Sequence, residues 1–305
     1  MNKYKRFVVD AGYRFGVLAS WGIYDRLPDE AYIRKRYRSM FHKKLDLCNP
    51  QTFNEKLQWL KLYDRNPLYT TLVDKYAVRE YLAEKIGGEY LIPLVGGPWK
   101  SFEEIDFDRL PEQFVLKCTH DSGGVVICRD KGQFDYEGAK KKLERCLGRN
   151  YYTRSREWPY KNVPPRIIAE KYMVDESGEE LKDYKFFMFS GKAALIQVDY
   201  GRFSQHKRNL YLPDWKYLDA SIKYPNDPEY VIPKPKKLDL MIHLAEVLSE
   251  GLPHVRVDFY SINTEVFVGE LTFYHESGFA KFTPDELGKW LGEQLVLPRG
   301  EHGVQ

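Results

Sequence analysis

Hydrophobic and polar residues follow two different rhythms along the chain, and the change falls near residue 90. Before it the rhythm is helical. Pro28, Pro50 and Pro67 punctuate a leading stretch of about 66 residues that reads as helices. The segment PQTFNEK, from Pro50, opens a helix that carries Leu57, Trp59 and Leu60 near one face. In LVDKYAVREYLAEKIG, residues Leu72, Val73, Tyr76, Ala77, Tyr81 and Leu82 recur at helical spacing, and Gly87-Gly88 stops the run. Beyond residue 90, short apolar runs rich in β-branched and aromatic residues take over, at 114–118, 125–129, 166–173, 184–189, 193–200, 254–261 and 265–274. Helical stretches lie between them at 137–148 and 237–250, and 224–237 is a loop carrying Pro225, Pro228, Pro233 and Pro235. Strands separated first by helix and then by short turns predict an α+β protein with more than one sheet.

Composition narrows the class. A chain of 305 residues with 17 Phe, 23 Tyr and 6 Trp is not predominantly disordered. No apolar run is long enough for a membrane-spanning helix, and Asp10 and Arg14 interrupt any signal-type run. Four cysteines without a Cys-x-x-Cys pair, and seven scattered histidines, suggest no zinc site and a reducing cytoplasm. The net charge of +3 hides an asymmetry, because residues 1–47 hold eleven Lys/Arg against five Asp/Glu. Such a segment suits anionic glycans, lipid headgroups or nucleic acid, or it is a solvated helical face.

Three constellations carry chemistry. FVLKCTHDSGGVVICRD sets two apolar runs around the polar turn Thr119 to Gly124. Backbone N–H groups of a Gly-rich turn can cradle phosphates, with Lys117 at the strand end; an ordinary hairpin explains the segment equally. Next, Asp183-Tyr184-Lys185 starts a strand, followed by Arg202 and by His206-Lys207-Arg208-Asn209, a cation cluster suited to phosphate or carboxylate oxygens. Finally, Asp258 and Glu270 sit among apolar neighbours on two consecutive runs. Carboxylates on rigid strands are what Mg²⁺ takes together with phosphates; pairing with Arg256 is the bland alternative.

In this order, the segments FNEKLQWLKLYDRNP, DKYAVREYLAEKIGGEYLIPL, LPEQFVLKCTHDSGG, PRIIAEKYM, DYKFFMFSGK, HKRNLY, VRVDFY, GELTFYHESGF and KFTPDELG resemble the ATP-grasp superfamily, and within it the TupA-like proteins named for teichuronopeptide biosynthesis. The resemblance spans roughly residues 50–290. It implies an ATP-grasp fold of two α+β subdomains clamping ATP, with a basic helical segment at 1–66, a small subdomain at 67–168, a large subdomain at 169–292 and a tail at 293–305. It implies that Lys75 and Lys117 approach the nucleotide phosphates, and that His120, Ser122, Gly123 and Gly124 belong to a loop closing over ATP. Glu170, Lys171 and Tyr172 would form the adenine hinge, and Asp183 would reach the ribose. Lys185, Arg202, Arg208 and Asn209 would serve the γ-phosphate and acyl phosphate. Asp258 and Glu270 would bind Mg²⁺, with Thr272 where the superfamily usually has asparagine, a departure that puts the second metal's geometry in question.

The implied reaction joins a carboxylate to an amine through an acyl phosphate. The expected partners are ATP, a carboxylate-bearing sugar or polysaccharide precursor of capsule type, and an amino acid or small amine, without nucleic acid. A membrane-linked precursor would bring the chain to the inner face of the membrane. The alternatives are a glycosyltransferase, a sugar kinase and a non-catalytic glycan-binding protein. Asp106-Phe107-Asp108 mimics a glycosyltransferase metal motif, but lies in a polar stretch rather than at the end of a buried strand.

Overall fold

The computed structural model describes residues 2–175, 181–201 and 205–298. The leading segment forms helices α1 (Lys3–Val9), α2 (Ala11–Ser20), α3 (Asp29–Phe41) and α4 (Phe53–Tyr63). The start of α4 is written locally. Thr52 accepts a hydrogen bond from the Glu55 N–H at 3.3 Å, and the Glu55 carboxylate accepts from the Thr52 N–H at 2.9 Å. Leu57 and Leu60 are buried and Trp59 is half-buried.

The helix expected over LVDKYAVREYLAEKIG is two helices, α5 (Leu68–Val73) and α6 (Val78–Ile86). The break falls at Asp74, whose carboxylate accepts from the N–H groups of Tyr76 (2.9 Å) and Ala77 (3.3 Å) and from Arg166 at 2.5 Å. The Lys75 N–H donates to the Thr119 carbonyl at 3.1 Å. Side-chain and tertiary partners outcompete the helical ladder here, so correct periodicity does not guarantee continuity.

Strands β1 (Leu94–Trp99), β2 (Phe114–Cys118), β3 (Val125–Cys128) and β4 (Ile167–Lys171) form one antiparallel sheet in the order β1-β4-β2-β3. Helix α7 (Tyr136–Leu147) covers it, and the short α8 (Tyr151–Ser155) follows. Strands β5 (Asp183–Phe189), β6 (Lys192–Tyr200), β7 (Lys207–Tyr211), β8 (Tyr217–Leu218), β9 (Ser221–Ile222), β10 (His254–Ile262), β11 (Glu265–Thr272) and β12 (Phe282–Thr283) follow. Six of them form a larger antiparallel sheet, β11-β10-β5-β6-β7-β8, while β12 pairs with β9. Helices α9 (Leu238–Leu248) and α10 (Asp285–Gln294), together with α4, α5 and α6, share the core of the larger sheet. The loop expected at 224–237 is irregular, as its prolines require.

The packing divides the chain differently from the expected 67–168 and 169–292. Helices α5 and α6 bury Leu72, Val73, Val78 and Leu82 in the core of the larger sheet, whereas all of β4 pairs within the smaller one. Sequence order does not say which sheet an amphipathic helix will cover. The expected tail begins inside α10, whose Gly292 lies so close to α4 that a Cβ there would meet the Gln51 carbonyl at 2.1 Å. No helix among the described residues is long and apolar enough to cross a membrane.

Candidate active site

A cavity of about 1110 Å³ opens between the two sheets. Lys75, Lys117, Glu170, Lys171, Tyr172, Asp183, Lys185, Asp258 and Glu270 all line it. These residues are scattered over nearly 200 positions of sequence, and the fold brings them to one cleft. Ile92, Val115, Met173, Leu181 and Tyr260 give it an apolar stretch suited to a flat aromatic ring.

On the smaller sheet, Lys117, next to last in β2, lies directly opposite Ile168 of β4. Its ammonium lies 2.5 Å from Glu170, whose other oxygen is 3.5 Å from Arg79. Glu170 is therefore occupied in holding two cations. Lys171 donates its N–H to the Pro93 carbonyl, and Tyr172 lies under Arg129. The Lys75 ammonium donates to the Asp121 carbonyl at 2.5 Å, which ties the α5–α6 break to the Gly turn. In that turn His120 and Asp121 are buried, while Ser122 and Gly123 form the exposed tip. Gly123 has a φ of +128°, a conformation side chains avoid, and Gly124 donates its N–H to Asp121 at 3.1 Å.

On the larger sheet, register does the assembly. Lys185 of β5, Asp258 of β10 and Glu270 of β11 stand side by side across three strands. Asp183, two residues before Lys185, and Arg256 and Thr272, opposite one another, share that face. Lys185 donates to Asp183 and Asp258, each at 2.6 Å. Arg256 forks onto Asp258 at 2.6 and 2.7 Å and reaches Glu270 (3.2 Å), Thr272 (3.1 Å) and the ring Nδ1 of His275 (2.8 Å). Burial would raise the Asp258 carboxyl, but Arg256 and Lys185 outweigh it and hold it below the ordinary range. Burial first, then the charges of Arg256, Arg208 and Lys185, hold the His275 ring well below its usual pKa, so it is neutral and can accept from Arg256.

The pairing with Arg256 weighed for these carboxylates from sequence is thus present: Arg256 and Lys185 engage both Asp258 oxygens, and Glu270 is the more open of the two. Glu270 keeps 41% of its side chain exposed toward the cleft. Among the described residues no group of three His, Cys, Asp or Glu side chains could hold a metal. Two carboxylates on adjacent strands fit Mg²⁺ bound jointly with nucleotide phosphates and water, rather than a cage built by protein alone.

Other expected residues lie elsewhere. Arg208 is buried, grips Asp199 at 2.6 and 3.2 Å, and donates to the Ile222 carbonyl. Asn209 donates to the carbonyls of Asp227 and Tyr230 and accepts from the Asp227 N–H, fastening the 224–237 loop. Neither lines the cavity. Arg202 lies outside the described residues. Arg79 was not singled out from sequence for this site; Arg256 was weighed there only as a partner of the carboxylates, and His275, weighed with Glu276 as a metal ligand or substrate contact beside Thr272, accepts from Arg256. The signal for Arg256 was its place two residues before Asp258, hence on the same strand face.

Comparison with known proteins adds the family. The model for TupA-like ATPgrasp proteins matches residues 55–296. No curated protein matches the sequence. Solved structures with similarity include D-alanine–D-alanine ligase from Bacillus anthracis (19% identity, TM-score 0.38, covering 67% of this chain and 57% of that one). Another is N5-carboxyaminoimidazole synthetase from Staphylococcus aureus (15%, TM-score 0.40, covering 75% and 53%). A third is the D-cycloserine synthetase DcsG (17%, TM-score 0.40, covering 75% and 72%). The chain spans little more than half the length of the first two. With the family match covering most of its length, the chain belongs to the TupA-like ATP-grasp family and has its α+β ATP-grasp fold.

Proposed function

We propose that the protein is an ATP-dependent, ADP-forming carboxylate–amine ligase. The observation that carries this reading is the charged row Lys185–Asp258–Glu270, with Arg256 behind it, facing the same cavity as Lys75 and Lys117. The two sheets act as the two subdomains. The apolar stretch around Ile92, Met173 and Leu181 takes the adenine, with the 170–172 backbone beside it and Asp183 toward the ribose. Lys75 and Lys117 neutralise the phosphates under the Ser122–Gly124 tip. Asp258 and Glu270 hold Mg²⁺, which when bound screens the phosphate charge and orients the chain of phosphates.

Arg256 and Lys185 meet the charge on the transferring phosphoryl group, and His275 keeps the Arg256 fork aimed. Phosphoryl transfer needs such positioning and neutralisation and no protein nucleophile. The γ-phosphoryl group passes to a carboxylate, releasing ADP. An amine then attacks the acyl carbon and loses a proton, and phosphate leaves. Asn209 is better assigned to holding the 224–237 loop, and Arg208 to pairing with Asp199 inside the larger sheet. For the acceptor we infer a uronic-acid carboxylate of a surface polysaccharide precursor. A lipid-linked precursor would put the reaction at the inner face of the membrane.

The test is ADP release by the full chain with Mg-ATP and pairs of uronates and amines. The expected result is release that needs both partners, a hydroxamate when hydroxylamine replaces the amine, and a loss of about a hundredfold or more in Glu270→Gln. ADP release onto a sugar hydroxyl without amine makes it a kinase. Dependence on a nucleotide sugar makes it a glycosyltransferase, and no binding of Mg-ATP leaves a glycan-binding protein.

A further inference from the structure

The first two helices stand on the surface with little beneath them. Helix α1 buries no residue, and α2 buries only Phe15, which stacks on Tyr24 at 4.6 Å and meets Tyr32 edge-on. A seven-residue helix with no buried face is not stable by itself in water. Tyr4 is 83% exposed, Val8 70%, Val9 62%, Trp21 68% and Ile23 57%. These are five of the twelve large apolar side chains left exposed among the described residues, all within the first 23 positions. A concentration of this kind marks a surface that is normally covered.

The charges around it identify the cover. Residues 2–26 carry five Lys/Arg and two Asp/Glu. Arg6 pairs with Asp10, and Arg14 donates to the carbonyls of Phe7 and Val8, bracing the corner between the helices. Lys3, Lys5 and Arg26 are exposed and make no ion pair among the described residues. Three of the cations further along are occupied within the fold. Arg34 donates to the Leu45 carbonyl, Arg36 donates to the Arg154 carbonyl and lies over Phe279, and Lys35 lies over Tyr24. Lys3, Lys5 and Arg26 stand beside the exposed apolar residues in the chain, whereas Arg38, Lys43 and Lys44, also exposed and without an ion pair among the described residues, lie beyond them.

We propose that α1, α2 and the turn to Ile23 form an interfacial hook that docks the protein on an anionic lipid bilayer. Trp21 and Tyr4 suit the headgroup level, Val8, Val9 and Ile23 enter the acyl boundary, and Lys3, Lys5 and Arg26 meet lipid phosphates. A second copy of the chain would bring the same net positive patch against itself. A soluble polyanion would leave the valines and Ile23 uncovered. The docking surface is separate from the cleft and does not depend on which substrate the enzyme takes.

The test is co-sedimentation of the full chain with phosphatidylcholine vesicles, with and without phosphatidylglycerol. We expect binding to the anionic vesicles, weakened by salt, and little to the neutral ones. Each cation removed should lower partitioning about fivefold, so Lys3→Gln with Lys5→Gln costs about 25-fold. Trp21→Ser with Ile23→Ser should cost about tenfold or more with the melting temperature unchanged, since both side chains are exposed. Equal binding to neutral vesicles, or none to either, overturns the proposal. So does heparin binding as tight as vesicle binding and insensitive to the Trp21 and Ile23 changes, or a lipid-free dimer that Trp21→Ser dissolves.

Discussion

Arg256 and Arg208 are the same side chain, both buried on strands of the same sheet, yet they face different tasks. Arg208 sits opposite its partner Asp199 and closes its bonds on Asp199 and the Ile222 carbonyl. Burial would raise the Asp199 carboxyl, but the Arg208 charge and hydrogen bonds keep it low. Arg256 instead spreads over Asp258, Glu270, Thr272 and His275, and of these Asp258 and Glu270 line the cavity. Arg256→Lys keeps a charge but loses the planar fork. It should lower ADP release about tenfold to a hundredfold while melting near the parent temperature. Arg208→Met should do the reverse, because it takes the guanidinium away from the buried Asp199 carboxylate at a cost of about 3 kcal/mol, with near-normal turnover in the folded fraction. Parallel melting curves and ADP assays separate the two, and a stable but inactive Arg208→Met protein would return that residue to the chemistry.

The element that matters most is the break between α5 and α6. Asp74 is almost fully buried, satisfies two N–H groups at the start of α6, and holds Arg166. The next residue is Lys75, positioned by its own N–H on Thr119 and by its ammonium on Asp121. Asp74→Ala therefore removes the acceptor of two N–H groups in the turn before α6 and takes the carboxylate from the half-buried Arg166 guanidinium. The expected destabilisation is about 2–4 kcal/mol, read in urea unfolding, with a raised KM for ATP as Lys75 loses its anchor. Loss of stability with an unchanged KM would leave Lys75 without a phosphate role. The turn after β11 shows the same logic. Glu276, Ser277 and Gly278 all have positive φ, and Lys61 and Gln58 of α4 hold its carbonyls at 2.7 Å. A strained turn beside the site is fixed by the helical segment that precedes the body carrying the cleft.

For the whole molecule, the buried histidines set the response to acid. Burial holds His254 down at about 3, with its Nδ1 on the Met188 carbonyl, and His275 is also held neutral. In the unfolded chain both titrate near ~6.5. Below that pH the unfolded state binds protons that the folded state refuses, so stability falls, by about 1.4 kcal/mol per pH unit for each ring until its folded pKa is reached. Lys61, fully buried and lowered to about 7, adds the same sign above neutrality, because only the unfolded chain stays protonated up to its ordinary range. The melting temperature should therefore climb from pH 5 toward pH 9, and His254→Gln should flatten the acid limb. A parent melting temperature that is level between pH 5 and ~6.5 would show that these rings protonate in place.

The strand runs from residue 114 onward were legible because a strand's apolar pattern is set by its own two faces. Asp258 and Glu270 were visible as charges among apolar neighbours, and Lys117 as a cation at a Gly-rich turn. The succession of motifs was enough to reach the family. Strand β1 was not legible, since LVGGPW has no alternation, and β7 hides its polar residues in buried pairs. The partners of Glu170, Arg208 and Asn209 were not legible either. Those partners are decided by cross-strand register and by which sheet a helix covers, between residues far apart in sequence. Local patterning therefore fixed the strands that carry clear apolar runs and flagged Asp258 as a charge among them. Only the tertiary structure decided whether a given charge holds the fold together or faces the cleft, because that depends on the distance to an opposite charge the sequence does not place.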